Sequence, residues 1–507
     1  MDFFSNLALG LQTAISVEAL LFCFIGVTIG TFVGVLPGVG SLTAISLALP
    51  LTFYMDPTVA LIMLAGIFYG SQYGGSTAAI LLNLPGSASS AVSCLDGNPM
   101  AKQGKGGVAL FVTAIASFVG STFAIILVMS LAPAIASMAL QFSSVEYFSV
   151  MLLALVGAST LAGGSALKGI AAVILGLVFG LVGIDINSGV ERFTFGVMSL
   201  SEGFTLVAMA IGLFGVSEII SNVGRTQVVS AVKTRDLSFR SMLPSKSEWR
   251  SMVKPAARGS VIGSIVGALP GSGPSIAAFL SYGVEKRVAK NPERFGNGAI
   301  EGITAPEAAN NASVQSAFIP TLSLGVPGDA VTAVLLGAMM IHGIVPGPLF
   351  LTEQPAMFWG LIVSFWIGNF FLLVLNIPLI KLWVKMLSIP YGVLYPSILT
   401  FICIGVYSVN NNIFDVFVVL FFGVIGYFMR IFGFPAAPVL LGFILGPMME
   451  EHFRRALLIS RGEFSVFIER PVSLVFLILT VLLLAAPARS ILSYLFSRRR
   501  IVRRSAR

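Results

Sequence analysis

The hydrophobic positions of this chain occur in long runs that short polar stretches separate. Residues 171–182 and 472–486 are two such runs, and neither shows the apolar–polar alternation of a β-strand. A helix needs about 20 mainly apolar residues to cross a bilayer. The pattern predicts whole or partial membrane helices over 14–36, 38–53, 58–70, 74–84, 107–135, 145–165, 167–184, 203–221, 256–269, 274–282, 312–323, 330–345, 356–386, 390–408, 412–430, 434–448 and 471–490.

Several of these segments are too short to cross a membrane alone. We predict half-helices or re-entrant pieces for 38–53, 74–84, 274–282 and 312–323. The fold class that follows is an all-α polytopic membrane protein. It has about 12 transmembrane helices together with broken or re-entrant half-helices.

The composition supports this class. Of the 507 residues, 56% are hydrophobic and 10% are charged, against about 45–50% apolar and about 25% charged in soluble proteins. So little charge excludes a soluble multidomain enzyme and a disordered chain. The three cysteines, Cys23, Cys94 and Cys403, lack metal or disulfide spacing, so we expect neither a bound metal nor a disulfide.

Two Pro-Gly motifs recur in the same order along the chain. Residues 26–44 align with 259–277 at an offset of 233, with ten of 19 positions identical and a shared G-x-L-P-G-x-G. Residues 82–92 align with 324–334 at an offset of 242, with six of 11 identical. Chance similarity among small residues is the alternative, but the repeated order favours an internal repeat.

The charges beside the motifs indicate that the two repeats are inverted. Basic residues follow only one member of each pair: Lys286, Arg287, Lys290 and Arg294 after the copy of the first motif, and Lys102 and Lys105 after the second motif. Loops rich in Lys and Arg stay in the cytoplasm, so equivalent flanks lie on opposite faces. Inverted repeats with Gly/Pro-interrupted segments are typical of secondary transporters.

The net charge of +8 is concentrated in 222–258 and in 498–507. We place both in the cytoplasm. A nucleic-acid partner is not expected, because the basic tail adjoins a hydrophobic span and has no interleaved aromatic residues. The predicted organisation is a first membrane repeat (1–221), a cytoplasmic basic linker (222–258), a second membrane repeat (259–448), and a cytoplasmic loop, last transmembrane helix and basic cytoplasmic tail (449–507).

The Pro-Gly pairs predict a substrate site. Each should end one helical piece, and a new piece beginning nearby exposes N–H groups that attract anions. Neighbouring hydroxyls and an amide can add hydrogen bonds, although they could equally cap ordinary kinks. The candidate substrate-binding residues are Gly38, Ser41, Thr43, Asn83, Gly86, Ser87, Gly271, Ser272, Ser275 and Gly328.

A cation site is predicted from oxygen donors in the second repeat. The segment 305–311 places two adjacent amides in an apolar chain, where they either bind an ion or satisfy backbone breaks. Asp329 follows Pro327-Gly328, and a carboxylate at membrane depth is a functional candidate, with an interface position as the alternative. Glu307 is either a ligand or a loop charge. The cation candidates are Asn310, Asn311, Ser313, Asp329 and Thr332.

Four long motifs also resemble the large membrane subunit of tripartite tricarboxylate transporters, the TctA family. They cover residues 34–53, 74–105, 267–287 and 296–350 and occur in order. The resemblance implies a multi-pass transporter of the bacterial inner membrane. It also implies a small membrane subunit of about four helices, a periplasmic solute-binding protein and a carboxylate substrate.

The residue patterns and the family resemblance together predict import of a tri- or dicarboxylate driven by a cation gradient, with Na⁺ favoured over H⁺. No enzymatic activity is expected, and no cofactor other than the coupling ion. An anion channel is the alternative, because channels also use broken helices. A membrane-embedded enzyme is a weaker one, because no catalytic cluster stands out in the sequence.

Overall fold

A computed structural model describes residues 3–36, 39–161, 165–185, 187–222, 239–386 and 391–485. The described chain is helical, with one antiparallel pair of two-residue strands in which Gly183 pairs with Arg192. The helices are α1 (Phe3–Ala14), α2 (Val17–Val35), α3 (Gly40–Thr52), α4 (Pro57–Leu82), α5 (Ala91–Met100), α6 (Gly106–Ala139), α7 (Ser144–Leu161), α8 (Ala166–Gly180), α9 (Leu206–Ala210), α10 (Ser217–Asn222), α11 (Phe239–Met242), α12 (Lys246–Gly267), α13 (Gly273–Val288), α14 (Glu301–Ser316), α15 (Phe318–Leu324), α16 (Ala330–Ile341), α17 (Pro348–Glu353), α18 (Pro355–Asn376), α19 (Ile380–Met386), α20 (Tyr391–Asn410), α21 (Ile413–Ile431), α22 (Ala437–Ile459), α23 (Val466–Glu469) and α24 (Pro471–Ala485). The strands are β1 (Gly183–Ile184) and β2 (Glu191–Arg192).

The helices are those of an all-α membrane protein. Four described segments are long and apolar enough to cross a bilayer: Val17–Val35, Ala91–Ala139, Pro355–Asn376 and Ile413–Ile431. Seven further apolar helices in the described part of the chain have 10–17 residues. The total of about 12 crossings stays a prediction.

The chain forms two compact units. The first comprises Met1–Leu140 and Phe204–Met429, and the second comprises Gln141–Gly203 and Arg430–Arg507. In the second unit, α7 and α8 pack on α22, which follows them much later in the chain. This division differs from the four segments drawn from the sequence, whose boundaries remain a prediction.

Helix α4 corrects one sequence-based element. The sequence predicts a membrane segment at 58–70 and a separate half-helix at 74–84, but α4 runs unbroken from Pro57 to Leu82. The glycines between them do not interrupt the helix. A Cβ at Gly74 would lie 2.2 Å from the Thr31 carbonyl oxygen, so this glycine permits close packing on α2.

Two further elements differ from prediction. The amide-rich segment 305–311 lies inside the continuous helix α14, whereas the sequence predicts a half-helix only from 312. Part of the predicted linker, from Lys246 onward, is the first half of α12. Ser245 and Glu248 form a capping box at its start, which explains why so polar a stretch is helical.

The two sequence repeats show the same helix packing. In each, three glycines spaced four apart face backbone carbonyls of one neighbouring helix, so closely that an added Cβ would lie 2.2–2.4 Å from the carbonyl oxygen. On α2 and α4 the pairs are Gly26–Met63, Gly30–Ile67 and Gly34–Ser71. On α12 and α14 they are Gly259–Ala305, Gly263–Ala309 and Gly267–Ser313. The glycines differ by 233 and their partners by 242, the two offsets of the sequence alignment.

Candidate functional site

The described Pro-Gly motifs interrupt helices as predicted. Pro85-Gly86 lies between α4 and α5, Pro270-Gly271 between α12 and α13, and Pro327-Gly328 between α15 and α16. Pro37 and Gly38 lie outside the described residues. The role of Gly38 in substrate binding therefore stays a prediction.

The helix ends around the second motif and its copy have matching geometry. Asn83 ends α4 with φ of 57°, and its equivalent Gly325 ends α15 with φ of 68°. This left-handed conformation terminates a helix and favours Gly or Asn. Gly40 and its equivalent Gly273 likewise have φ of 64° and 69° at the starts of α3 and α13.

A reciprocal hydrogen-bond pair also recurs at these ends. The Ser87 N–H donates to Ser90 Oγ at 3.0 Å, and the Ser90 N–H donates to Ser87 Oγ at 3.4 Å. At the equivalent positions, the Asp329 N–H donates to Thr332 Oγ1 at 2.9 Å, and the Thr332 N–H donates to Asp329 Oδ1 at 2.8 Å. Asp329 and Thr332 therefore form the capping box of α16.

The structure brings two of the predicted motifs into direct contact. The Gly271 N–H donates to the Gly328 carbonyl at 2.7 Å. A Cβ at Gly273 would lie 3.8 Å from Asp329 Cβ. The copies of the first and second motifs, Pro270-Gly271 and Pro327-Gly328, thus form one junction in the first unit.

The remaining substrate candidates occupy varied positions. Ser272 caps the end of α12 by donating to the Leu269 carbonyl at 2.9 Å and to the Val266 carbonyl. Ser41 and Ser275 are half-buried in the first turns of α3 and α13, and Thr43 is buried one turn into α3. Asn83 is exposed and Gly86 is buried.

Helix α14 carries a row of buried polar atoms without partners. Asn310 and Asn311 are no more than 1% exposed, and Ser313 is fully buried. Both side-chain polar atoms of Asn310, the Oδ1 of Asn311 and the Oγ of Ser313 lack a hydrogen-bond partner among the described residues. The neighbouring Gln315, which the sequence did not single out, is unpartnered in the same way. Such atoms are costly in an apolar interior unless a ligand or water satisfies them.

Glu307 is a buried carboxylate that the sequence left open. It is 1% exposed on α14, so the loop-charge alternative is wrong. Ser76 Oγ of α4 donates to its Oε1 at 2.6 Å, Ser93 Oγ of α5 donates to the same oxygen, and Ser117 Oγ of α6 donates to Oε2 at 3.3 Å. Among the described residues, no Lys, Arg or His pairs with it.

The amide of Asn311 extends this Glu307 cluster, which consists of Glu307, Ser76, Ser93, Ser117 and Asn311. Asn311 Nδ2 donates to Ser117 Oγ at 2.7 Å. The serines lie 190 to 231 residues from Glu307 in the chain. Nothing in the sequence identifies which of the many serines meet this carboxylate.

Asp96 is a second acid that the sequence did not single out. It is fully buried on α5, and its Oδ1 accepts the N–H groups of Gly296, Gly298 and Ala299 at 2.8–2.9 Å. Tyr282 donates to Oδ2 at 3.0 Å. Asp96 therefore fixes the turn that precedes α14 and orients that helix, rather than facing a ligand.

Comparison with known proteins gives a single family. The model of the tripartite tricarboxylate transporter TctA family matches residues 20–441. An uncharacterized 52.8 kDa protein in the TAR-I ttuC' 3' region of Agrobacterium vitis is 48% identical over 473 residues, which are 93% of this chain and 94% of that protein. An uncharacterized protein in the TAR-II ttuC' 3' region of the same organism is 54% identical over 201 residues, 40% of this chain and 83% of that protein. No solved structure matches significantly.

Proposed function

The chain belongs to the tripartite tricarboxylate transporter TctA family, and from that premise we propose that it carries a tri- or dicarboxylate into the cell at the expense of a cation gradient. The observation that supports this most is the shared geometry of the α2–α4 and α12–α14 pairs, which have the same glycine contacts and the same broken helix ends. Repeats with interrupted helices at matching places are the usual architecture of secondary transporters. A transporter subunit of this family performs no chemistry on its substrate.

The turn at Ser87–Ser90 suits a carboxylate better than its equivalent at Asp329–Thr332. Both turns lead into a helix whose first N–H groups attract anions. At α16, however, the negative charge of the Asp329 carboxylate repels a second anion. At the other turn, Ser87 and Ser90 are neutral. We therefore assign one carboxylate of the substrate to the hydroxyls and N–H groups of the Ser87–Ser90 turn.

Helix α14 holds one coupling ion in this proposal. Glu307 supplies a negative charge, and Asn310, Asn311 and Ser313 supply oxygens that lack partners among the described residues. An ionisable residue within the membrane marks an ion or substrate pathway by default. Asp329 and Thr332, proposed from sequence as cation ligands, already satisfy one another.

The charge balance sets the minimum coupling. Each elementary charge that crosses the membrane gains or loses about 2.3 kcal/mol per 100 mV. A dianion that moves inward opposes the membrane potential, so at least two cations must accompany it to make transport electroneutral. One of them is Na⁺ in our proposal.

The proposed setting is the bacterial inner membrane, with the basic linker and the basic tail in the cytoplasm. The sequence places 449–470 in the cytoplasm as well. Residues 449–459 belong to α22, and only α24 separates the following loop from the tail. A single crossing puts these two segments on opposite sides, so we now place residues 460–470 in the periplasm.

The partners in this proposal are a small membrane subunit and a periplasmic solute-binding protein. The test is uptake of labelled citrate and four-carbon dicarboxylates in cells that express this chain with both partners. We expect accumulation that needs the binding protein and falls when K⁺ replaces Na⁺. Uptake indifferent to Na⁺ but abolished by a protonophore would replace Na⁺ by H⁺. Flux that never exceeds equilibrium would favour the channel alternative.

A further inference from the structure

A small polar cavity lies beside the Glu307 cluster, between α4, α6, the end of α18 and the start of α19. It measures about 10 Å³, enough for about one particle the size of a water molecule. Five side chains around it carry oxygen atoms: Tyr73, Thr77, Thr113, Ser117 and Asn376. All lie in the first compact unit.

Three of these hydroxyl oxygens are acceptors toward the cavity, because their protons point elsewhere. Tyr73 donates its proton to Asn369 Oδ1 at 2.7 Å, and Thr113 donates to the Leu110 carbonyl at 2.8 Å. The proton of Ser117 points to Glu307. What remains for the cavity is oxygen lone pairs.

Asn376 provides the observation that indicates a ligand. Its side chain is 4% exposed. Nδ2 donates to the Leu372 carbonyl at 3.0 Å, while Oδ1 is buried without a hydrogen-bond partner among the described residues. A buried carbonyl oxygen that lines a polar cavity and lacks a donor needs a positive or hydrogen-bearing occupant.

Charge and acceptor number favour a monovalent cation as that occupant. A water molecule has two protons and cannot satisfy all four of these acceptors, those of Tyr73, Thr113, Ser117 and Asn376, whereas a cation attracts all of them. Ser117 joins the cavity to the carboxylate of Glu307, which supplies one negative charge. Divalent ions usually require several carboxylates, and in the described part of the chain no three His, Cys, Asp or Glu side chains converge.

We propose that this cavity is a Na⁺ site, with Tyr73, Thr77, Thr113, Ser117 and Asn376 as oxygen donors and Glu307 as the compensating charge. The assignment rests on the proposed function, because it locates a second coupling ion, in addition to the one assigned to the oxygens of α14. It differs from the sequence-based cation site in residues and in position. An ion in the cavity would pull Ser117 toward itself and so change the contacts between α6 and α14.

The test uses the purified full-length chain and does not require transport. Its melting temperature is measured in NaCl, KCl and choline chloride at equal ionic strength, and binding of ²²Na⁺ is measured directly. We expect a rise of roughly 3–5 °C at saturating Na⁺ and little effect of K⁺. Absence of both the Na⁺-dependent shift and ²²Na⁺ binding would overturn the proposal.

Matched variants locate the ion. Thr113→Val and Asn376→Leu should weaken Na⁺ binding at least about tenfold, whereas Thr113→Ser should retain it. Thr31→Val is the control, because Thr31 is equally buried and bonds a carbonyl of its own helix, but lies outside the cavity. Thr77→Val replaces Thr113→Val if the latter does not fold. Unchanged binding in the cavity variants, or equal loss in Thr31→Val, contradicts the assignment.

The proposed function can fail separately. Na⁺ binding without carboxylate uptake by the complete tripartite system would keep the site and reject the transport proposal. Proton-driven carboxylate uptake, with no Na⁺ binding, would keep the transporter and reject the site. Loss of Na⁺ binding only in Asn310→Leu or Ser313→Ala would return the ion to the sequence-based positions.

Discussion

At the scale of single residues, Asp329 and Glu307 of the second repeat have roles that their sequence context does not distinguish. Asp329 follows a Pro-Gly break and is 6% exposed, but its carboxylate caps α16. Glu307 lies in a helix and meets three serines from three other helices. A carboxylate whose partners are hydroxyls keeps much of its attraction for a cation, whereas one that serves a helix end is already engaged.

The capping role of Asp329 predicts that a neutral cap can replace it. Asp329→Ala should destabilise the chain by about 1 kcal/mol because α16 loses its N-cap. Asp329→Ser should keep both stability and uptake, since Ser87 fills the equivalent position in the other repeat. The measurements are melting of the purified protein and carboxylate uptake. Loss of uptake in a stable Asp329→Ser protein would instead make Asp329 a ligand.

At Glu307, in contrast, a neutral side chain should impair ion binding. Glu307→Gln keeps the shape and can still accept hydrogen bonds from the serines, but it removes the charge. Ion affinity should fall by about 2 kcal/mol or more, roughly 30-fold, and cation-driven uptake should fall with it. The half-saturating Na⁺ concentration for uptake measures this change. Glu18→Gln, at an exposed position of α2, is the control, and an unchanged Na⁺ dependence in Glu307→Gln would exclude a role in coupling.

At the scale of helices, small residues decide how closely neighbours pack. A stripe of three glycines on α2 (Gly26, Gly30 and Gly34) packs directly on the carbonyls of α4. An equivalent stripe on α12 (Gly259, Gly263 and Gly267) packs on the carbonyls of α14, with no side chains between the helices. Within a bilayer, such contact gives van der Waals attraction in the absence of a hydrophobic driving force. The sequence shows these glycines as part of the repeat, but only the structure shows which helix each stripe meets.

Substitution of a glycine within either stripe should therefore destabilise the folded chain. Gly30→Ala and Gly263→Ala each place a Cβ within 2.4 Å of a backbone oxygen, and each should destabilise the chain by about 1–3 kcal/mol. Gly283→Ala is the matched control in α13, because its added Cβ meets nothing within 4 Å. It should be neutral or stabilising by up to about 1 kcal/mol. Similar melting temperatures for all three variants would argue against this packing.

The loop between α8 and α9 predicts a specific acid response. Hydrogen bonds from Ser188, Arg192 and Arg454 hold the pKa of Asp185 below its usual range. Its stabilising contribution is therefore complete above the unfolded value of about 3.9 and is lost as the pH falls through the lower folded value. The melting temperature of the wild type should exceed that of Asp185→Asn at pH 7, and the difference should shrink only below about pH 4. A difference that already shrinks between pH 7 and 5 contradicts this account.

At the scale of the whole molecule, the two repeats share packing but not chemistry. The positions of Glu307, Asn310 and Asn311 on α14 correspond to Ala65, Phe68 and Tyr69 on α4. Equivalent glycine contacts hold α4 and α14. At these positions, however, α14 carries a carboxylate and amides, whereas α4 carries apolar and aromatic side chains. The charge that attracts the coupling ion in this proposal therefore comes from the second repeat, whereas α4 and α6 of the first repeat contribute oxygens to the Na⁺ cavity.

Inversion of the repeats predicts which loops face which side of the membrane. After Cys23, Cys94 and Cys403 are replaced by alanine, single cysteines at the exposed Tyr54, Lys102, Lys290 and Val345 can be labelled in cells. A membrane-impermeant maleimide should modify positions 54 and 345 from the periplasm. Positions 102 and 290 should react only after the inner membrane is opened. Labelling of 54 and 290 from the same side would reject inversion.

The sequence by itself determined the class of this protein, the two offsets of its repeat and the three described helix breaks. These follow from local composition and spacing, because long apolar runs require a bilayer and Pro-Gly pairs end helices wherever they occur. It divided α4, because glycine weakens a helix in isolation but permits contact when a neighbour lies against it. It placed the start of α14 too late, because the polar residues of 305–311 interrupt the apolar pattern although they are buried within the helix.

Only the tertiary structure decided which polar groups meet. The serines of α4, α5 and α6 reach Glu307 across 190 to 231 residues, and the residues that line the cavity come from four helices. Hydroxyls on apolar helices look alike in the sequence, since each can bond to its own helix. Their function depends on the face that each helix turns toward its neighbours, and helix packing sets that choice.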